Sequence, residues 1–309
     1  MDIASILMIV FGLCLFETIS SIDNAIINAE VLHTMQPKSR KWFLIWGMFI
    51  AVFLVRGLLP WLIVYFTVPE LGFIGSLTAT FSSDPAVIEA IESSAPVLLA
   101  GGGTFLIFLF FHWLFLEPKN YGLRGEKFFH AQGVWFYAVV SILLSAIVWY
   151  ALKMNPVMAF GAVIGSTAFF ITHGFKENAE KGEEALLSSK GNLSDISKIL
   201  YLEVIDATFS IDGVLGAFAF TLSVPLILLG NGLGAVVVRQ ITVGNIERIK
   251  KYRYLKNGAM YSILALGTVM LLDSFGVVIP TYVSPAVTFV TVVYFFWRSK
   301  REMDIPNKV

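Results

Sequence analysis

Cysteine is nearly absent from this chain. Its 309 residues hold one, Cys14, which excludes an intramolecular disulfide framework and any metal site built from several thiolates. Charge is scarce as well: 14% of the residues are charged, against 57% that are hydrophobic. A soluble domain of this length needs far more charge to solvate its surface, so an ordinary cytosolic enzyme is excluded. The 22 basic residues balance the 22 acidic ones. With no basic stripe interleaved with aromatics, nucleic acid is not an expected partner. Met1 to Ser5 contains no basic residue and the apolar stretch that follows runs past any cleavage site, so the first run is expected to stay in the mature protein rather than serve as a signal peptide.

What the chain has in their place is long apolar runs. A helix rising about 1.5 Å per residue needs about twenty apolar residues to cross roughly 30 Å of hydrocarbon. Nine runs meet that length approximately, at 5–31, 42–66, 94–115, 133–152, 156–172, 199–221, 223–238, 258–275 and 277–297. The segments 32–41, 116–132, 173–198, 239–257 and 298–309 carry 20 of the 22 basic residues. Since short cytoplasmic loops collect positive charge, strict alternation places the N-terminus outside and the C-terminus on the cytoplasmic side. The expected fold is all-α, a polytopic membrane helix bundle of about nine transmembrane helices in a single domain over 1–309. One outer loop, 67–93, carries Glu70, Asp84, Glu89 and Glu92 with no basic residue. It reads either as a solvated loop with a short helix after Pro85 or as an acidic vestibule that concentrates cations.

Two polar patterns interrupt the apolar runs. The first run contains Glu17-Thr-Ile-Ser-Ser21-Ile22-Asp23-Asn24 and the sixth contains Asp206-Ala-Thr-Phe-Ser210-Ile211-Asp212-Gly213. Each reads carboxylate, three residues, Ser-Ile-Asp. A Val-Arg pair follows each in the next run, Val55-Arg56 and Val238-Arg239. The copies lie in the first and the sixth run, five steps apart in an alternating series, so they are expected to run in opposite directions. That is the pattern of transporters built from inverted-topology repeats, whose sites lie near the bilayer midplane. The repeats would cover about 5–66 and 199–257.

Five acids lie within the spans at or beside these patterns, Glu17, Asp23, Glu203, Asp206 and Asp212. Each costs roughly 2.5–3.5 kcal/mol at mid-membrane on insertion scales, so they need partners. Arg56 and Arg239 are the expected counter-ions, and protonation or a bound divalent cation would remove the remaining negative charge. The donors available are carboxylates, the hydroxyls of Ser20, Ser21, Thr208 and Ser210, and the amide oxygen of Asn24, with no thiolate and no paired imidazoles. Such a set suits hard or borderline ions, Mn²⁺, Ca²⁺ or Mg²⁺, and suits Zn²⁺ or Cu⁺ poorly. Glu17 and Asp23 stand about 240° apart on an ideal helix, so either the helix breaks between them or each works with the opposite repeat. Gly213 and Gly216 would ease such a break in the sixth span. Glu203 and Asp206, three apart, share a face. The competing reading of any one of these acids is a charge that pins two helices together.

Other marks carry less. His112 would be an interior or interfacial histidine or a proton shuttle, and His33 and His173 sit near inner helix ends. Gly101-Gly102-Gly103 reads as a hinge or a close-packing patch, and Gly161 to Gly165 spells a GxxxG contact.

At Glu17, Ser21-Ile22-Asp23-Asn24 and Asp206 through Phe209-Ser210-Ile211-Asp212, the chain resembles the TerC family of integral membrane proteins, related to the broader LysE-type exporter superfamily, as a divergent branch. The likeness is clearest over the first two and the sixth and seventh runs. It implies manganese export or tellurium resistance, with Glu17, Asp23, Asn24, Asp206 and Asp212 as metal-path residues. Where the family's second motif continues with a polar residue and a nearby proline, this chain has Gly213-Val214-Leu215-Gly216. Nine runs also exceed the seven of common members.

The expected function is therefore a secondary transporter and not an enzyme. It would export a divalent metal cation, Mn²⁺ first and Ca²⁺ second, by proton antiport through Glu17, Ser21, Asp23, Asn24, Glu203, Asp206, Ser210 and Asp212, with no resident cofactor. The alternatives are an intramembrane aspartyl-type hydrolase, for which the Gly-x-Gly-Asp pattern is missing, and a non-transporting membrane stress-resistance protein. The sequence sets no oligomeric state.

Overall fold

The computed structural model describes residues 2–47, 49–50, 56–79, 85–119, 122–188, 194–244 and 246–303. Among them the chain is 87% helical and contains no strand. The helices in order are α1 (Ile3–Ser20), α2 (Ile22–His33), α3 (Pro37–Trp42), α4 (Arg56–Thr67), α5 (Gly72–Ala79), α6 (Pro85–Leu116), α7 (Arg124–Ala131), α8 (Phe136–Met154), α9 (Pro156–Ser188), α10 (Asp195–Ala217), α11 (Val224–Gly244), α12 (Ile246–Ile249), α13 (Leu255–Ser274) and α14 (Val283–Met303).

Among the described residues, six stretches are long and apolar enough to cross a membrane: Ile3–Ser20, Ser93–Leu116, Gly133–Met154, Pro156–Lys176, Val224–Val243 and Leu255–Ser274. They coincide with six of the nine runs read from the sequence. The other three differ for visible reasons. The run at 42–66 lies partly outside the described residues, and its described parts are the end of α3, a π-helical turn at Phe43–Gly47 and α4. The run at 199–221 is one continuous helix, α10, but Glu203, Asp206 and Asp212 dilute its apolar character. The last run begins late, at Val283, and carries Lys300 and Arg301 in its final turn. Proline at 85 opens α6, so the short helix expected after it is the first part of the spanning helix itself, while α5 is a separate helix earlier in the same stretch. The side chains of Glu70, Asp84 and Glu92 lie outside the described part of the structure, and Glu89 is exposed.

Burial identifies the centre of the bundle. Of an 18-residue apolar stretch within Ser93–Leu116, 83% is buried inside the molecule, against 22% of the corresponding stretch within Gly133–Met154, so α6 is the central post and α8 lies on the rim. Without water between apolar helices, close packing of small residues holds such posts together. A methyl group added at Gly165 would stand 2.0 Å from the Gly101 carbonyl oxygen, one at Gly161 2.6 Å from that of Val97, and one at Gly103 2.9 Å from that of Gly267. Both glycine patterns are therefore contact surfaces, with α6 pressed against α9 and α13, and Gly101 to Gly103 lie inside an unbroken helix. Replacing Gly165 by Leu is expected to cost about 1–3 kcal/mol by overpacking, read as a lowered Tm in detergent.

A second group surrounds α1. Leu13 meets Gly230 and Glu17 meets Gly234 on α11, and Ala25 and Ala29 of α2 pack with Val238 and Ile241 further along it. Contacts that advance together on both helices make α1–α2 and α11 parallel. On the other flank Gly12 meets Phe220, Phe16 meets Gly216, Glu17 meets Gly213 and Asn24 meets Asp206. These advance in opposite senses, so the two motif helices lie side by side and antiparallel.

The first motif is interrupted where its two acids would otherwise diverge. Ser21 separates α1 from α2 with φ −91° and ψ 4°. Its amide still donates to the Glu17 carbonyl at 3.1 Å, and its own carbonyl accepts from Ala25 at 2.9 Å. The second motif has no such interruption, since α10 runs straight through Gly213 and Gly216. Those glycines provide close approach: a methyl at Gly216 would stand 2.4 Å from the Phe16 ring, and one at Gly213 3.0 Å from Glu17 Oε2.

Candidate functional site

The antiparallel pair gathers polar groups where the motifs cross. Glu17 is 1% exposed, and the Ser21 hydroxyl donates to its Oε1 at 2.6 Å. One helical turn further along α2, the Asn24 and Asn28 amides both donate to Oδ1 of Asp206, Asn28 at 3.0 Å. With their nitrogens committed to the carboxylate, the Oδ1 atoms of Asn24 and Asn28 are buried without a hydrogen-bond partner, as is Oε1 of Glu203. Buried acceptors left in that state cost free energy. All three are hard oxygen donors of the kind that a divalent cation binds. Glu203 faces the π-helical turn, where a methyl at Gly47 would stand 2.3 Å from its Oε1. Ser210 turns away from this set, its hydroxyl donating at 2.6 Å to the Asp206 carbonyl of its own helix.

The two Ser-Ile-Asp aspartates go elsewhere. Asp23 and Asp212 line a cavity of about 40 Å³ together with Ser20, Glu117, Lys176 and Lys256, larger than the roughly 10–15 Å³ that one water needs. The Lys256 ammonium lies 3.0 Å from Asp23 Oδ2 and 2.6 Å from Glu117 Oε2. Each charged group comes from a different part of the chain: α2, the residue after α6, α9, α10 and the first turn of α13. Glu117 stands just beyond the span of α6. Burial pushes its carboxyl up, but Lys256 and then Lys176 and Lys119 outweigh that and hold it below its ordinary value of 4.5. A carboxylate with a depressed folded value adds stability above its unfolded value and loses it as pH falls through the folded one. The Tm difference between the native chain and Glu117→Gln is therefore expected to be full near neutral pH and to shrink below about pH 4.5.

The sequence profile of DUF475, described as a protein of unknown function, matches residues 22–304. The chain belongs to the DUF475 family. Neither a curated protein nor a solved structure matches it. The DUF475 match takes in Asp23, Asn24, the whole second motif and the three cavity residues Glu117, Lys176 and Lys256, and it begins after Glu17 and Ser21.

Set against the sequence expectations, the DUF475 chain distributes its motif residues over two sites. Asn24 and Asp206 meet directly, Glu17 bonds Ser21 and abuts the second motif helix at Gly213, and Asp23 joins Asp212 in the cavity. Among the described residues, no group of three or more Asp, Glu, His or Cys side chains is placed to hold an ion by itself. An ion at the crossing would draw on the amide oxygens too. The cation beside Asp23 is a lysine, where the sequence pointed to arginines. The Arg56 side chain lies outside the described part of the structure, as does that of Thr208, and Arg239 is partly exposed near the end of α11. Asn28 escaped the sequence reading, although it repeats Asn24 one turn later on the same face. Glu117 and Lys256 escaped it because they sit at helix ends, and Lys176 because it closes the apolar part of α9, where charge passes for solvated loop. His112 and His173 also pair, with ring centroids 3.7 Å apart, between α6 and α9.

Proposed function

We propose that this DUF475 chain is a secondary transporter that exports a divalent cation, Mn²⁺ before Ca²⁺, by proton antiport across a bacterial-type inner membrane. The observation that carries the reading is the convergence of Asn24 and Asn28 from the first motif on Asp206 of the second, with their amide oxygens buried and unpartnered. The donors are oxygens throughout, which suits Mn²⁺ and Ca²⁺ and disfavours thiophilic ions. The antiparallel contact of the two motif helices supports an inverted repeat. With α10, α14 and the 42–66 region added to the six apolar helices, the chain has nine spans, its N-terminus outside and its C-terminus cytoplasmic. Carboxylates at such a crossing would exchange a metal ion for protons as access alternates. The likeness of the motifs to TerC proteins points the same way for metal and direction.

Inside-out vesicles containing the protein test this. Mn²⁺ uptake is expected to exceed that of empty vesicles, to exceed Zn²⁺ uptake and to rise when the lumen is acid relative to the medium. Uptake equal to that of empty vesicles for every ion would overturn the proposal. One observation favours the hydrolase reading, namely that Asp23 and Asp212 share a cavity. The Lys256 ammonium on Asp23 weighs against it, because an aspartyl dyad works by sharing a proton between its two carboxyls. Cleavage of a peptide panel, lost in Asp212→Ala, would favour that reading. A non-transporting protein would show no metal-dependent rise in Tm, whereas a ligand that binds the folded state raises it.

A further inference from the structure

The cavity that holds the two Ser-Ile-Asp aspartates already contains a cation. Three acids, Asp23, Glu117 and Asp212, face two lysines, Lys176 and Lys256. The Lys256 ammonium sits between Asp23 Oδ2 at 3.0 Å and Glu117 Oε2 at 2.6 Å, the position a small inorganic cation would take between two carboxylates. The attachment points matter equally. Lys256 belongs to the first turn of α13 and Glu117 follows α6, so both are fixed to the tightly packed post. Asp23 lies in the first turn of α2, two residues past the interruption at Ser21. One ammonium therefore fastens the helix that follows the interruption at Ser21 to the closely packed centre of the bundle.

We infer that Lys256 is a tethered counter-cation. Its ammonium closes this end of the ion path between turnovers and yields its place to the arriving ion, so that closed and ion-loaded states exclude one another. A lysine suits the task, since a point charge on a flexible four-carbon stem bridges two carboxylates and swings away without breaking a planar bidentate pairing. Its departure from Asp23 and Glu117 with nothing in its place would leave like charges facing each other. The path thus opens when a cation is there to take over. The identity of the exchanging ion rests on the transport reading above, while the clasp between α2, α6 and α13 does not.

Ser20 lines the same cavity and reports on its opening. In full-length protein carrying Cys14→Ser and Ser20→Cys, reconstituted in vesicles, a membrane-impermeant maleimide is expected to label slowly. Adding Lys256→Met to that background is expected to raise the labelling rate at least about tenfold. Saturating Mn²⁺ is expected to raise it in the Lys256 background and to change little in Lys256→Met. Exchanging the partners, Lys256→Glu with Asp23→Lys, restores one cation between two carboxylates and is expected to keep labelling slow, which separates loss of the clasp from loss of the fold. Equal labelling with and without Lys256→Met, or an exchanged variant that labels as fast as Lys256→Met, would overturn the clasp. Mn²⁺ that crosses the membrane in the unmodified chain without accelerating labelling would overturn the exchange. Absence of Mn²⁺ flux in the unmodified chain, with Lys256→Met still labelling faster, would overturn the transport reading and the exchange, and leave Lys256 a static tie.

Discussion

Replacing Asp206 by Asn is expected to abolish metal flux while leaving the protein inserted and folded. The reason lies in how the carboxylate is used. Asn24 and Asn28 both donate to its Oδ1, and an amide oxygen in that position accepts the same two bonds, so the contact between α2 and α10 survives. What disappears is a negative charge at the crossing of the motifs. Two unit charges about 4 Å apart interact by about 4 kcal/mol at an effective dielectric of about 20, and a divalent ion doubles the figure. Even after most of that is offset by the desolvation of the ion, about 3 kcal/mol remains, which is about 100-fold in affinity. Mn²⁺ flux in proteoliposomes and metal-dependent Tm shift should fall together. Asp206→Ala is expected to differ, because it strands two buried amide donors at about 1–3 kcal/mol each and lowers Tm without metal. Normal flux through Asp206→Asn would move the ion site elsewhere.

The second large effect is steric. A methyl group at Gly234 would stand 2.6 Å from both Cβ and Cγ of Glu17 and 2.9 Å from the Cys14 carbonyl oxygen. The backbone side of that contact cannot rotate away, so Gly234→Val is expected to force α11 from α1. Overpacking typically costs about 1–3 kcal/mol. Here the displaced residue is Glu17, whose Oε1 is tied to Ser21, so the damage reaches the helix interruption and the flux as well as Tm. Gly174, where an added methyl meets nothing within 4 Å, is the control: Gly174→Ala should leave both measurements unchanged. A Gly234→Val variant with native flux would show that α1 and α11 separate freely.

The parts of this arrangement that sequence reveals are those written in local pattern. Apolar length announced the six described helices that are long and apolar enough to cross a membrane, and the repeated carboxylate and Ser-Ile-Asp pattern picked out the two helices that meet at Asn24 and Asp206. Helical geometry left open a break between Glu17 and Asp23 or separate service to the opposite repeat; the helix is interrupted at Ser21, and the two acids still go to different sites. The same reasoning expected Gly213 and Gly216 to loosen α10, but they hold Glu17 and Phe16 close instead. A glycine carries both meanings, and only the neighbouring helix decides between them. The cavity was illegible for a different cause. Asp23, Glu117 and Lys256 are brought together from positions more than a hundred residues apart at their extremes, and no local periodicity encodes that meeting.

The contrast between the buried post α6 and the rim helix α8 bears on how such a sequence drifts. Tyr137, Ile142, Trp149, Tyr150 and Leu152 of α8 stand exposed on the outside of the bundle, where any residue content with hydrocarbon or the headgroup zone serves equally well. Along α6, each glycine meets a neighbouring carbonyl or side chain, so mutational tolerance there falls almost to nothing. Chains descended from a common ancestor should therefore diverge freely in α8 while α6 retains its small residues, and an alignment centred on α6 would find distant kin that whole-chain identity overlooks.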